Sequence, residues 1–395
     1  MSRGLRHLCV ALLVLLGFSL GVSEFVVIGV EQEIADAYGV ALSQVGQLIS
    51  FFSVTYAVLT PVLAITTGRF KRFQLLVVYA AVFCVANAVE ALAPDFQILL
   101  LSRMLIGSVS GAFLAVGVTY IPELMGTERT SMVISVVYAA FSVAMVIVTS
   151  VGKMVAELLD WRLMMWGALM LAVVTSVALV LVLPREGATD EPATMGEQAG
   201  LLKEPQVLTG MLIFLFGVGS VYVFYGYVTP YFEQVLGMEP LAASAALMGY
   251  GGACFVSNLI SGWVSGRFGI KGLLVSFPLL GAALFALWAL GPTMPAALIV
   301  AMLIGLLMYI VSVPCISLFM EVAAKRHPKA LTLASSLEPM AFNMGIAFGT
   351  AVGGMVVAGS GISQVGLVGA GFSVVALALV VLTIWLDGRS ARAHA

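Results

Sequence analysis

Runs of about twenty apolar residues, separated by short polar connections, recur along the whole chain. Read as predicted helices, they cover residues 8–30, 45–67, 74–93, 97–120, 132–156, 162–183, 207–231, 243–265, 272–291, 295–319, 331–357 and 365–386. Crossing ~30 Å of hydrocarbon takes roughly 20 helical residues, so each run is long enough to span a bilayer. Hydrocarbon offers no partner to a backbone N–H or C=O, and a helix satisfies those groups internally. The pattern therefore predicts an all-α membrane protein of twelve transmembrane helices.

The polar positions between the runs are sorted by sign. Arg3 and Arg6, then Arg69, Lys71 and Arg72, then Arg129, Arg185 and Lys203 all fall on one side, counting helices alternately. Arg267, Lys271, Lys325, Arg326, Lys329, Arg389 and Arg392 join them, which puts fifteen of the eighteen basic residues on that face. The opposite connections carry Glu31, Glu33, Asp36, Asp95, Glu233 and Glu239. Lys and Arg mark cytoplasmic connections, so both termini are expected in the cytoplasm and the helix count must be even.

Composition agrees with this and narrows it. Of 395 residues, 61% are apolar and only 10% charged, too few to cover a soluble surface of this size. The net charge of −2 gives nucleic acid no electrostatic hold. Cys9, Cys84, Cys254 and Cys315 sit inside apolar runs without paired spacing, so neither a disulfide nor a metal is expected, and no cofactor. Arg3 and Arg6 ahead of an apolar run resemble a secretion signal, but the run is too long and lacks a cleavage site; it reads as a first anchor helix. Residues 184–206, rich in Gly, Pro and acidic side chains, read as a cytoplasmic linker between six-helix bundles at 1–183 and 207–395.

The two halves repeat. Gly68-Arg69-Phe70-Lys71-Arg72 follows the second run, and Gly266-Arg267-Phe268-Gly269-Ile270-Lys271 follows the eighth. These loops resemble the G-x-L-A-D-R-x-G-R-K signature of the major facilitator superfamily, with glycine at the acidic position in both copies. The resemblance implies two pseudo-symmetric six-helix bundles that rock about a central site, with Arg69, Arg72, Arg267 and Lys271 at the cytoplasmic gate. Ser23-Glu24-Phe25-Val26-Val27-Ile28-Gly29 resembles the start of the twelve-helix drug–proton antiporters, in the arabinose or sugar efflux branch. Arg103-Met104-Leu105-Ile106-Gly107, Tyr225-Gly226-Tyr227-Val228-Thr229-Pro230-Tyr231 and Phe342-Asn343-Met344-Gly345 resemble that branch's helices 4, 7 and 11. The Gly-x-Pro-x-Gly core of the antiporters' helix 5 is absent: before Asp160-Trp161-Arg162 only Gly152 remains, and Ser150 stands where the proline would be.

Charges inside a span are costly, about 3 kcal/mol on insertion scales, and therefore point to function. Glu24 is expected to carry the proton, with Arg103, at similar depth on the fourth helix, as the counter-charge that couples protonation to conformation. Glu338, beside Pro339, is expected to be a second titrating site or a ligand for a cationic substrate. Lys153 is expected to pair with Glu157 one turn on and to snorkel toward the interface. The candidate substrate contacts are Tyr56, Asn87, Tyr222, Tyr225, Tyr227, Asn258 and Asn343, few polar groups in an apolar chamber.

Together these readings predict a proton-coupled antiporter that exports drug-like or small metabolite molecules, acting as a monomer in a bacterial-type inner membrane. A uniporter or importer is the alternative, favoured by the missing helix 5 core. An enzyme is not expected: His7, His327 and His394 have no catalytic partners nearby, and no phosphate-binding loop is present.

Overall fold

The computed structural model describes residues 3–67, 70–125, 127–185 and 200–393, and every regular element among them is helical. The membrane helices are α1 Arg3–Phe25, α2 Leu42–Thr67, α3 Arg72–Ala91, α4 Phe96–Val118, α5 Thr127–Leu158 and α6 Arg162–Val182. They continue as α7 Pro205–Tyr225, α8 Pro240–Phe268, α9 Leu273–Leu290, α10 Ala296–Met308, α11 Leu331–Gly359 and α12 Val365–Ala393. Eleven segments among the described residues are long and apolar enough to span, and one of these, Pro240–Leu290, holds both α8 and α9. The helix count is thus the twelve that the hydrophobic pattern predicts.

Local chemistry sets many of the ends. Asp95 caps α4 by accepting a hydrogen bond from the Ile98 amide at 2.9 Å. Pro205 and Pro240 open α7 and α8, where a missing N–H costs nothing. Gly39, at φ 63°, ends the short helix Glu31–Tyr38 in the left-handed region open to glycine.

Several predicted helices are interrupted, the seventh among them, where α7 ends at Tyr225 and a new turn begins at Val228. α1 gives way after Phe25 to a 3-10 turn, Val26–Gly29. α4 stops at Val118 and resumes as Ile121–Met125; α10 stops at Met308 and resumes as Ser312–Arg326. The last two breaks have one cause. Pro122 and Pro314 sit just inside the resumed segments, where the ring clashes with the carbonyl four residues back and supplies no N–H.

The chain divides into two compact units, each described by itself. The first takes the first half of the chain without Leu42–Ser50 and adds Pro240–Gly251; the second takes those first turns of α2 and the rest of the second half. In the first unit, α1 and the turn after it pack on α5 through Gly17, Gly21 and Gly29, where a methyl group would strike the backbone of Val137, Phe141 or Thr149. In the second, α7 packs on α11, with Gly345 and Gly349 against the backbone of Phe214 and Gly219. Small residues let helices approach closely where lipid removes the hydrophobic incentive to pack. Large apolar side chains such as Leu159, Met170, Leu181 and Leu259 remain exposed, as a lipid-facing surface requires.

Candidate functional site

In the first unit the polar core is built around Arg103 on α4, a fully buried side chain. Its Nη1 lies 3.3 Å from Glu90 Oε1 on α3. Its Nη2 donates to the Glu24 carbonyl at 2.7 Å, and Nη1 also donates to the Ser23 carbonyl. These carbonyls are at the end of α1, where the change to a 3-10 turn deprives them of regular partners. The Phe52 ring covers the guanidinium, 4.5 Å from its centroid. Ser23 Oγ donates to Asn87 Oδ1 at 2.8 Å, and Asn87 Nδ2 donates to the Phe83 carbonyl at 2.8 Å.

Glu24 therefore meets Arg103 through its backbone, while its carboxylate stays within electrostatic reach of the guanidinium. The direct carboxylate partner is Glu90, which the sequence reading did not single out. Glu90 is 1% exposed and Glu24 6%. Two carboxylates face one guanidinium, so with all three ionised the cluster carries an uncompensated negative charge.

A second ionic group lies at the far end of α5. Lys153 is 2% exposed, with Glu33 at 2.6 Å and Glu157 at 3.2 Å. The expected i,i+4 pair is present, but the expected snorkelling is not: the ammonium is held inside by the helix Glu31–Tyr38. In the second unit, the break in α10 is bridged from α8. Ser257 Oγ accepts from the Tyr309 amide at 2.9 Å, and Ser261 Oγ donates to the Ile310 carbonyl and accepts from the Val313 amide, both at 3.1 Å. Ile310 is the residue whose carbonyl Pro314 displaces from the helix.

The sequence profile of the Major Facilitator Superfamily matches residues 13–337. The chain belongs to the major facilitator superfamily. It is 29% identical over 368 residues to the inner membrane transport protein YdhP of Escherichia coli, covering 93% of each chain. It is 26% identical over 369 residues to the MFS-type transporter YtbD of Bacillus subtilis, covering 93% of this chain and 92% of that one. Among solved structures it is similar to the inward-facing, unoccupied form of a bacterial homologue of the human lysosomal transporter Spinster, with a TM-score of 0.77, 16% identity and 98% of both chains covered. The protein is accordingly a multi-pass membrane transporter of the secondary class, bathed in lipid and acting on a small molecule.

Within this superfamily fold the predicted site residues take different surroundings. Tyr56 is packed in the core of the first unit beside Phe52, and Asn87 has both amide ends engaged. Tyr227 lies against Gly46, Gly353 and Gly354, with its hydroxyl 3.3 Å from the Thr350 carbonyl. Tyr222 and Tyr225 meet edge to face at 5.3 Å. Asn258 Nδ2 donates to the Cys254 carbonyl at 3.4 Å. Asn343 Nδ2 donates to the Pro339 carbonyl at 3.1 Å, and its buried Oδ1 has no partner among the described residues. Glu338 lies beside Ser312 and Cys315 of α10.

Of the four gating candidates, Arg69 lies outside the described residues. Arg72 braces the break in α4: it pairs with Glu123, reaches the Thr119 carbonyl at 3.4 Å and covers the Tyr120 ring at 4.2 Å. Arg267 lies over Trp263 and Phe268, at 6.0 and 5.8 Å, and Lys271 is exposed in the turn between α8 and α9. Just before α7, outside the membrane, Glu204 takes Arg326 and His327 as partners. Burial pushes its carboxyl up, but the hydrogen bonds and charges of His327 and Arg326 outweigh that and hold it below 4.5.

Proposed function

We propose that the protein is a proton-coupled antiporter that exports drug-like or small metabolite molecules, similar to the twelve-helix drug–proton antiporters and their sugar efflux branch. It acts as a monomer in an inner membrane, with both termini in the cytoplasm and Arg72, Arg267 and Lys271 at the cytoplasmic gate. The observation that carries this reading is the charge count at Arg103: two buried carboxylates, one guanidinium. A lone net charge in a dry core is costly, and a bound proton removes it. Glu24 is the exchanging group, being the more exposed of the two and free of a side-chain hydrogen bond among the described residues; Glu90 anchors the guanidinium. Protonation of Glu24 loosens the hold of Arg103 on the end of α1, where the helix already breaks, and so favours one facing state over the other.

The test is uptake into proteoliposomes under an imposed pH gradient. Glu24→Gln is expected to abolish gradient-driven transport and to keep substrate exchange. Gradient-driven transport that persists in Glu24→Gln at the wild-type rate would remove Glu24 from the mechanism. A second reading, uniport or import, is favoured by α5, which runs unbroken from Thr127 to Leu158 and has Ser150 where the antiporters have proline. It requires that accumulation be unchanged when the pH gradient is collapsed.

A further inference from the structure

The break in α1 begins one residue after Glu24 and is held from both sides. Upstream, Arg103 takes the Ser23 and Glu24 carbonyls. Downstream, the 3-10 turn Val26–Gly29 rests on the C-terminal part of α5. A methyl group on Gly29 would strike the Thr149 carbonyl, and one on Gly152 would touch Val30 at 3.8 Å. The next residue of α5 is Lys153, whose ammonium holds Glu33 at 2.6 Å. Glu33 belongs to the short helix Glu31–Tyr38, which follows the turn after a single residue.

That helix is fixed at its other end as well. Tyr38 Oη donates to the Ala93 carbonyl at 2.9 Å. Arg162, at the start of α6, donates to the same carbonyl at 3.2 Å and to Tyr38 Oη at 3.3 Å. A helix of 8 residues pinned at both ends moves as one piece. The two carboxylates on Lys153 do different things. A buried ammonium needs a counter-ion, and Glu157, one turn on along α5 itself, supplies one. Glu33 adds something else, a tie between α5 and the segment beyond the α1 break.

We infer that Lys153 is a positioning residue for the proton step: through Glu33 it ties the segment beyond the α1 break to α5, so that movement of the break on protonation of Glu24 is passed on to α5. The inference rests on the reading of Glu24 as the exchanging group. The charged groups facing Glu24 are Arg103 on α4 and, across that guanidinium, Glu90 on α3. Those facing Lys153 are Glu33 and Glu157. A proton on Glu24 loosens the upstream hold on the break, and the turn Val26–Gly29 is then able to shift. Were its downstream end loose, the turn would absorb the shift. Because that end is tied, α5 has to follow, and the proton biases an element well beyond its own binding site.

Backbone hydrogen exchange of the purified full-length protein in detergent tests this without any substrate. Protection at 23–30 and at 149–156 is compared between about pH 8 and about pH 5, after correction for intrinsic rates. In the wild type, protection is expected to change with pH at both segments. Glu33→Gln is expected to keep the change at 23–30 and lose it at 149–156. Lys153 retains Glu157 in that variant, so no buried charge is stranded. Glu157→Gln keeps the tie and is expected to behave as the wild type. If the carboxylates did no more than neutralise Lys153, the two variants would be alike. The inference is overturned by a wild-type response confined to 23–30, by a response at 149–156 that survives Glu33→Gln, or by loss at both segments in Glu33→Gln. Loss at 149–156 in Glu157→Gln overturns it too. Glu24→Gln separates the two readings and is expected to abolish both responses. A response at 23–30 that persists in Glu24→Gln, or none anywhere in the wild type, would overturn the role of Glu24 and the inference with it. A response that persists only at 149–156 would mean local titration of Glu33 or Glu157, and would overturn the inference alone.

Discussion

The two units meet the same structural demands with different chemistry. Each contains a helix broken by a proline, α4 at Pro122 and α10 at Pro314, and each must satisfy the backbone groups so released. The first unit braces its break with an ion, Arg72, and the second with the neutral hydroxyls of Ser257 and Ser261. The contrast extends to the buried polar residues. On one side a guanidinium is locked between Glu90 and two carbonyls of α1; on the other Glu338 stands beside the Ser312 hydroxyl, with no cation paired to it among the described residues.

The largest effect that could break this comparison is on stability. Arg103→Met leaves Glu90 buried and unpaired, and removing one partner of a buried pair costs about 3–5 kcal/mol. Glu338→Gln removes a charge that has no counter-ion among the described residues, so it is expected to cost less than about 1 kcal/mol. Thermal unfolding of the two purified variants beside the wild type measures the difference. Equal losses would mean that the two units do not differ in the way described.

How far the sequence reached depends on the range of each interaction. The twelve helices, and the depth of Glu24, Arg103 and Glu338, follow from hydropathy and rise per residue, which are local. Glu90 was equally visible as an ionisable group inside a span. It is the last residue but one of α3, however, where helix bounds are least certain, and without a fold it reads as a border residue. The pairing of Lys153 with Glu33 joins positions 120 apart, and no spacing rule reports it. Only its i,i+4 contact with Glu157 is local, and that contact alone suggested an interfacial lysine. The breaks in α4 and α10 had a signal in Pro122 and Pro314, but hydropathy is blind to it, since proline interrupts the hydrogen bonds without lowering the apolar character of the run. What bridges the breaks, serines on α8 some 50 positions away, was beyond local reading.

A smaller effect sharpens the comparison at the breaks themselves. Ser261→Ala strands the Val313 amide and the Ile310 carbonyl in a buried setting, at about 1–3 kcal/mol. Arg72→Gln removes a pair whose carboxylate, Glu123, is 47% exposed. Such pairs contribute about 0–1 kcal/mol. Hydrogen exchange gives a local reading: amides at 309–313 are expected to exchange faster in Ser261→Ala, and those at 119–121 to change little in Arg72→Gln. A larger effect from Arg72→Gln would mean that the ion, and not the hydroxyls, is the stronger brace.

The smallest effect concerns a place in the second unit where ions hold one another, and it lies outside the membrane. Glu204 takes both Arg326 and His327, and its carboxyl is held below the ordinary 4.5. A carboxylate whose folded-state value lies below its unfolded value adds stability above the unfolded value, and that addition fades as pH falls through the folded one. Glu204→Gln keeps the shape and removes the titration. The gap in melting temperature between wild type and Glu204→Gln is therefore expected to shrink as pH falls below about 4.5. The group is near the surface, so screening keeps the gap to a degree or two, and added salt is expected to narrow it. A gap that widens below about pH 4.5 would mean that Glu204 is protonated more readily in the folded protein than in the unfolded chain, and the tie to Arg326 and His327 would then not be what holds it.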